Sequence, residues 1–507
     1  MPRTLTLLLG LSFMTMTTSA ATPASQPTGA SLAFTSDDSV TIQALALMNE
    51  GEFAEAQTLL KTGDGHADAS VVQAREELKE VIRRRRRDYS VGADAMLRKI
   101  QSSIPDATAV DVERWRAQGV LQHRVIDGTI AYFRREPVNL FRFSKDAIAR
   151  REAAGKAPTG TRFPLNEHLA QVIAEAEKTG KAEVSPIHHR VKFIATIAPD
   201  APGAKAGSLV RCWLPFPQEY RQQRHVKLIR TSPQGATVAP NADGETNITG
   251  ARQRSVYLEQ RLTDPSKPLT FEVEFEYTSY AYYPRLDEKL VSADSGFGEQ
   301  DRGAGASFEQ YLTERPPHIV FTPEIRRAVE QTAGAEPNPL IKARKIFHFI
   351  DSEIRYHGEE EYSTIDSFAQ KAITRRKGDC GVQAMLFITM CRLAGIPARW
   401  QSGWQTKPGE ENMHDWSEIY IAPWGWIPVD ASNGLQPSDD PTIREFYLGH
   451  QDAYRLIVNR DYGSPLVPPK DSFRSEPADF QVGEIEIDGA NLFYDDWDYD
   501  MDIRTTP

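Results

Sequence analysis

At 507 residues the chain is too long for one ordinary hydrophobic core and predicts roughly two to four domains. Its 25% charged and 40% hydrophobic residues are the composition of a globular protein, and a net charge of −11 argues against nonspecific nucleic-acid binding. No stretch approaches the roughly 20 apolar residues a spanning helix needs, so no transmembrane segment is expected.

The first 21 residues run from Arg3 through an apolar segment, Leu5 to about Met16, into Thr17-Thr18-Ser19-Ala20-Ala21. Charged, apolar and small residues in that order predict a secretory signal cleaved near Ala20 or Ala21, and hence a secreted or periplasmic protein. Residues 22–36, rich in Ala, Ser, Thr and Pro, read as a disordered leader.

Residues 37–182 read as a helical region. Ala44 to Met48, then Gly51-Glu52-Phe53, then Ala54 to Leu60 predict a helix, a turn and a second helix. The run Arg83 to Arg87 follows Glu76, Glu77 and Glu80 and reads as a solvated helix face. Two further helices precede an alternating segment, Leu121 to Phe133, around Asp127-Gly128, a strong hairpin signal. That order has winged-helix proportions. A helical Arg/Lys/Glu/Ala-rich connector covers Asp146 to Ala182.

Residues 187–284 hold short alternating segments separated by Pro, Gly and Asn, such as Val191 to Ile197 and Phe271 to Tyr277. They predict a β-sandwich-like domain. A Gly/Asp/Glu-rich linker follows at 285–307. The last domain, 308–462, opens with helices at Pro323–Thr332 and Leu340–His357. A C-terminal β extension, 463–507, carries a hairpin at Asp488-Gly489 and an aspartate series, Asp496 to Asp502, on the wet face of a strand. The aspartate spacing does not fit a calcium loop.

Three cysteines occur, Cys212, Cys380 and Cys391, so at most one disulfide is available. Cys391 lies eleven residues after Cys380, about 16 Å along a helix axis and too far to bridge. It reads as a buried core thiol.

Cys380 differs. Gly378 and Asp379 stand before it and an apolar run, Ala384 to Ala394, follows, which places it in the first turn of a buried helix. Asp379 supplies a cap acceptor, and the helix N-terminus favours a thiolate. His414 opens an alternating run to Ile421, Ala422-Pro423-Trp424-Gly425 turns the chain, and Trp426 to Asp430 returns. A hairpin centred on Ala422 sets His414 across from Asp430, which then orients the imidazole toward Cys380. Trp404, Trp416, Trp424 and Trp426, four of the chain's eight tryptophans, fall within residues 404–426 and read as hydrophobic framing.

Gly378-Asp379-Cys380-Gly381, Ala394-Gly395-Ile396-Pro397-Ala398-Arg399, His414-Asp415-Trp416-Ser417-Glu418-Ile419-Tyr420 and Gly425-Trp426-Ile427-Pro428-Val429-Asp430 together resemble a transglutaminase-like domain. The resemblance covers about Phe308 to Tyr462. It implies an α+β papain-like core with Cys380 as nucleophile, His414 as base and Asp430 as its orienter. The thiol would attack an amide or peptide carbonyl through a thioester. The Cys380 backbone N–H is one oxyanion donor, with Gln370 and Tyr356 as candidates for a second. No cofactor or metal is called for. The expected partner is a protein or peptide substrate, cell-wall peptides included. A protease or amidase is the first reading. A Gln–Lys cross-linker and a silent binding protein are the alternatives.

Overall fold

The computed structural model describes residues 38–62, 68–156, 162–291 and 308–506. The expected signal sequence and leader and most of the expected 285–307 linker lie outside them.

Helices Ser39–Glu50, Phe53–Leu60 and Ala69–Asp88 share a core of Ala44, Met48, Phe53, Leu60, Leu78 and Ile82. Helices Ala93–Gln101 and Ala109–Ala117 follow. Next comes the hairpin His123–Ile126/Thr129–Phe133, whose turn residues Asp127 (φ 48°) and Gly128 (φ 73°) are both left-handed. Those angles fit the two-residue turn that the Asp-Gly pair predicts. Strand Tyr89–Val91 adds a third member beside Thr129–Phe133.

The arginine run is not a solvated face. Arg84 is 0% and Arg85 2% exposed. The Arg84 guanidinium bonds Glu80 (2.7 Å) and donates to the carbonyls of Arg474 (2.8 Å) and Ser475 (3.1 Å). Arg85 donates to the carbonyl of Thr364 (2.9 Å) and to Asp366 (3.0 Å). Their partners lie hundreds of residues downstream, so local patterning points to solvent where the fold supplies carbonyls. These arginines fasten the N-terminal helix to the rest of the chain.

Two antiparallel sheets follow. One holds Leu209–Pro215, Thr237–Val238 and Ser255–Arg261; the other holds Glu183–Ile197, Gln223–Ser232 and Leu269–Tyr282. They close over a shared core that includes Phe193, Val210, Trp213, Leu258 and Phe271. The C-terminal segment is not a separate extension. Glu484–Ile487 pairs with Leu209–Pro215, with Ile485 opposite Cys212. Trp497–Thr506 pairs along Glu183–Ile197, from Trp497 opposite Ile197 to Thr506 opposite His188. Ile485, Ile487 and Trp497 thereby bury their apolar sides in the sandwich core.

The last unit is α+β. A four-stranded antiparallel sheet runs in the order Gly425–Val429, Asn412–Ile421, Ala398–Gln405, Arg455–Asn459. Helix Cys380–Leu393 packs on it, sharing one core with Ala398, Trp400, Ile419 and Val429. Trp404, Leu456 and Val458 of the same sheet belong to the sandwich core instead, with the Trp404 ring stacked 5.4 Å from Phe193. Trp404 therefore joins sheet to sandwich.

Candidate active site

Cys380 is the first residue of its helix, and the Asp379 carboxylate caps that helix by accepting the Val382 N–H at 3.1 Å. The flanking glycines are required by close approach. A Cβ on Gly378 would lie 2.4 Å from Val382 Cγ1, and one on Gly381 would lie 2.2 Å from the Tyr362 hydroxyl and 2.8 Å from Asp415. The thiol is almost closed off, at 8% exposure.

His414 and Asp430 are brought together, though not directly opposite each other. Ser417 pairs with Val429 and Ile421 with Gly425, so the hairpin centres on Pro423 rather than Ala422. Asp430 follows the strand's last residue and lies on the diagonal to His414, on the same face. Their side chains close the gap, with Nε2 of His414 2.6 Å from Oδ2 of Asp430. Asp430 is fixed further by Arg455 (2.9 Å), the Asn433 N–H (3.0 Å) and Ser432 (3.1 Å). These donors and the imidazole outweigh burial and hold its carboxyl far below the usual range, whereas burial pushes His414 down despite Asp430. The imidazole is thus neutral near pH 7, and Asp430 is ionised.

The partner of the thiol is the residue after the histidine. Cys380 Sγ donates to Asp415 Oδ2 at 3.2 Å. The Tyr362 hydroxyl lies 3.1 Å from the same oxygen and 2.9 Å from Asp379 Oδ1, and accepts the Gly381 N–H at 3.2 Å. Gln481 donates to Asp415 Oδ1 at 2.7 Å and to the His414 carbonyl at 2.9 Å. Asp479 lies beside Asp415 and opposes its ionisation. Burial, with Asp479 and Asp379 beside it, pushes Asp415 well above the carboxylate range; burial and Glu359 push Asp379 up to about 7. Burial first, then Asp415 and Asp379, pushes the Cys380 thiol well up. The helix N-terminus therefore does not prevail, and the resting group is a thiol. Sequence reading missed this network because Tyr362, Gln481 and Asp479 are distant in the chain; the Asp415 beside His414 was the one visible signal.

Tyr356 adjoins the nucleophile. It pairs with Gly378, and the nearby Cys380 is the first cause that raises its hydroxyl, ahead of burial and Asp379. Gln370 is held elsewhere, donating to Thr374 Oγ1 (3.0 Å) on its own helix and lining a cleft with Arg85, Arg124 and Glu360. Cys212 and Cys391 are buried free thiols.

Residues 326–431 match the family model of the transglutaminase-like superfamily. An uncharacterized Haemophilus influenzae protein is 25% identical over 222 residues, spanning 36% of this chain and 59% of that protein. A provisionally assigned cysteine protease of Cytophaga hutchinsonii aligns with a TM-score of 0.42 at 16% identity, over 64% of this chain and 91% of its own. The periplasmic domain of TgpA from Pseudomonas aeruginosa gives a TM-score of 0.24 at 16% identity, over 54% and 94%. The helix that begins at Cys380 and the hairpin that joins His414 to Asp430 both lie inside the matched segment, and residues 326–431 are a transglutaminase-like domain.

Proposed function

We propose that the protein is an exported thiol hydrolase that cleaves amide or peptide bonds, with Cys380, His414 and Asp430 as its catalytic residues. The observation that carries this reading is the buried 2.6 Å His414–Asp430 pair on the strand whose next residue, Asp415, touches Cys380 Sγ. Asp430 engages Nε2, which leaves Nδ1 of a neutral imidazole free to take the thiol proton.

The chemistry then runs as a general-base attack. Sγ bonds to the carbonyl carbon while the S–H proton passes to His414. The carbonyl π electrons move onto oxygen, giving a tetrahedral oxyanion that the Cys380 N–H faces from the helix N-terminus. Collapse breaks the C–N bond, and the amine leaves with the proton from His414. Water repeats the sequence on the thioester, returning the thiol and releasing an acid. The low exposure of the thiol favours water, the smallest second nucleophile, over a lysine amine.

Export rests on the charged, apolar and small-residue order of residues 1–21. The test is turnover of peptides carrying glutamine or peptide amides, followed by ammonia and amine release with and without added lysine analogue. Hydrolysis lost in Cys380→Ala and unchanged by the amine supports the reading. Amine incorporation in place of hydrolysis makes the protein a cross-linker.

A further inference from the structure

The N-terminal helical region touches the segment that leads into the nucleophile, and it does so through buried polar contacts. Asn139, itself 0% exposed, accepts the Gly358 N–H at 2.8 Å and donates to the Gly358 carbonyl at 3.2 Å. Buried Glu136 holds Asn139 in turn, at 3.0 Å. A Cβ on Gly358 would come within 3.3 Å of Val138 Cγ1, so the Gly358 backbone packs against the Val138 and Asn139 side chains. The Phe143 ring lies 5.5 Å from His357.

This docking sets Arg142 over the ring of Tyr356, 4.5 Å from its centroid. Tyr356 is 38% exposed and stands beside Cys380. Arg142 is exposed, and among the described residues no carboxylate pairs with it. Arg355 and Lys377 lie opposite each other in the short parallel bridge one residue before Tyr356 and Gly378. Among the described residues Arg355 is likewise exposed without an ion pair, and Lys377 donates to the Gly119 carbonyl and lies over the Phe143 ring. Arg134 of the same region is by contrast neutralised, by Asp88, Glu361 and Asp495. In a chain of net charge −11, Arg142 and Arg355 thus stand exposed near the strand pair that leads into Cys380.

We infer that Arg142 selects acyl donors bearing a carboxylate beside the scissile amide, so that the N-terminal region forms one wall of the substrate groove. The inference rests on the hydrolase reading above and names its substrate class, an acidic peptide. A guanidinium held against an aromatic face keeps its outer N–H groups free for bidentate carboxylate binding. The buried acids nearby do not oppose such a substrate. Glu359 and Glu360 are paired with Lys371, and burial pushes Asp379 and Asp415 toward their neutral forms.

The test measures binding and turnover separately. Full-length protein carrying Cys380→Ala is titrated by fluorescence anisotropy with two labelled peptides that differ only in Glu or Gln beside a central glutamine. The Glu peptide is expected to bind about tenfold tighter at low salt, and Arg142→Gln to abolish that preference. Arg142→Glu should reverse it toward a Lys peptide. Equal binding of the two peptides, no binding by either, or a preference that survives Arg142→Gln overturns the inference. Turnover by the Cys380 enzyme separates the two readings. Cleavage without charge preference defeats the carboxylate inference alone, and charge-selective binding without cleavage defeats the hydrolase alone.

Discussion

Cys380 Sγ donates to Asp415 Oδ2 at 3.2 Å, one residue along the strand from the histidine that Asp430 orients. The nucleophile is thereby stored as a thiol against a carboxyl whose ionisation burial and the neighbouring Asp479 oppose. This arrangement calls for a general base at the moment of attack, and the predictions below follow from it.

Replacing Asp415 with Asn removes the acidic partner of the thiol and places an amide N–H within reach of a thiolate. Iodoacetamide should then label Cys380 several-fold faster at pH 7 than in the wild type, read by peptide mass spectrometry. Unchanged or slower labelling would mean that Asp415 does not hold the proton on sulfur.

His414 must be neutral to act as base, and burial pushes it below its ordinary value of 6.5. Its protonated form therefore accumulates only at lower pH, and the acid limb of kcat/KM should lie below 6.5. A limb at or above neutrality would contradict a neutral resting imidazole. The alkaline side should keep rising past the usual thiol range, because the thiol itself is pushed up.

Asp430 anchors a buried charge cluster as well as the imidazole, since Arg455 bonds both Asp430 (2.9 Å) and Asp452 (3.1 Å). Asp430→Ala should lower kcat by ~10²–10⁴ and cost about 3 kcal/mol of stability, because it leaves Arg455 partly uncompensated. Asp430→Asn should retain more stability than activity. Thermal melts beside kinetics separate the two effects.

Asp379 gives the opposite sign in stability against pH. Its folded value of about 7 lies above the ordinary 3.8, so the folded state binds this proton more tightly. Its contribution is fully present below 3.8 and is lost as pH rises through about 7. Asp379→Asn keeps a cap oxygen for Val382 and should raise Tm at pH 8 while changing little at pH 4. An equal Tm change at both pH values would place the proton elsewhere.

Much of this site was legible in the sequence. Gly378, Asp379 and the apolar run after Cys380 located the helix start, and alternation located the hairpin. The register was off by one residue at the turn centre, because Gly425 already pairs with Ile421 and the connection is the three residues Ala422 to Trp424. Parity survived, and with it the His414–Asp430 contact. The proton network was not legible, since a hydrogen bond from Gln481 or Tyr362 leaves no local periodicity. The same limit hid the burial of Arg84 and the placement of Trp497–Thr506 along Glu183–Ile197, both set by partners hundreds of residues away.

The central claim, that Cys380 attacks carbonyl carbon with His414 as its base, is tested most directly by trapping the acyl-enzyme. Wild type, Cys380→Ala and His414→Ala are mixed with a p-nitrophenyl ester, quenched in acid at short times, and the adduct is mapped by peptide mass spectrometry. The account predicts an acyl group on Cys380 in the wild type, none in Cys380→Ala, and formation slowed by ~10²-fold or more in His414→Ala. Acylation of Cys380 at an unchanged rate without His414, or no adduct in the wild type, would contradict it.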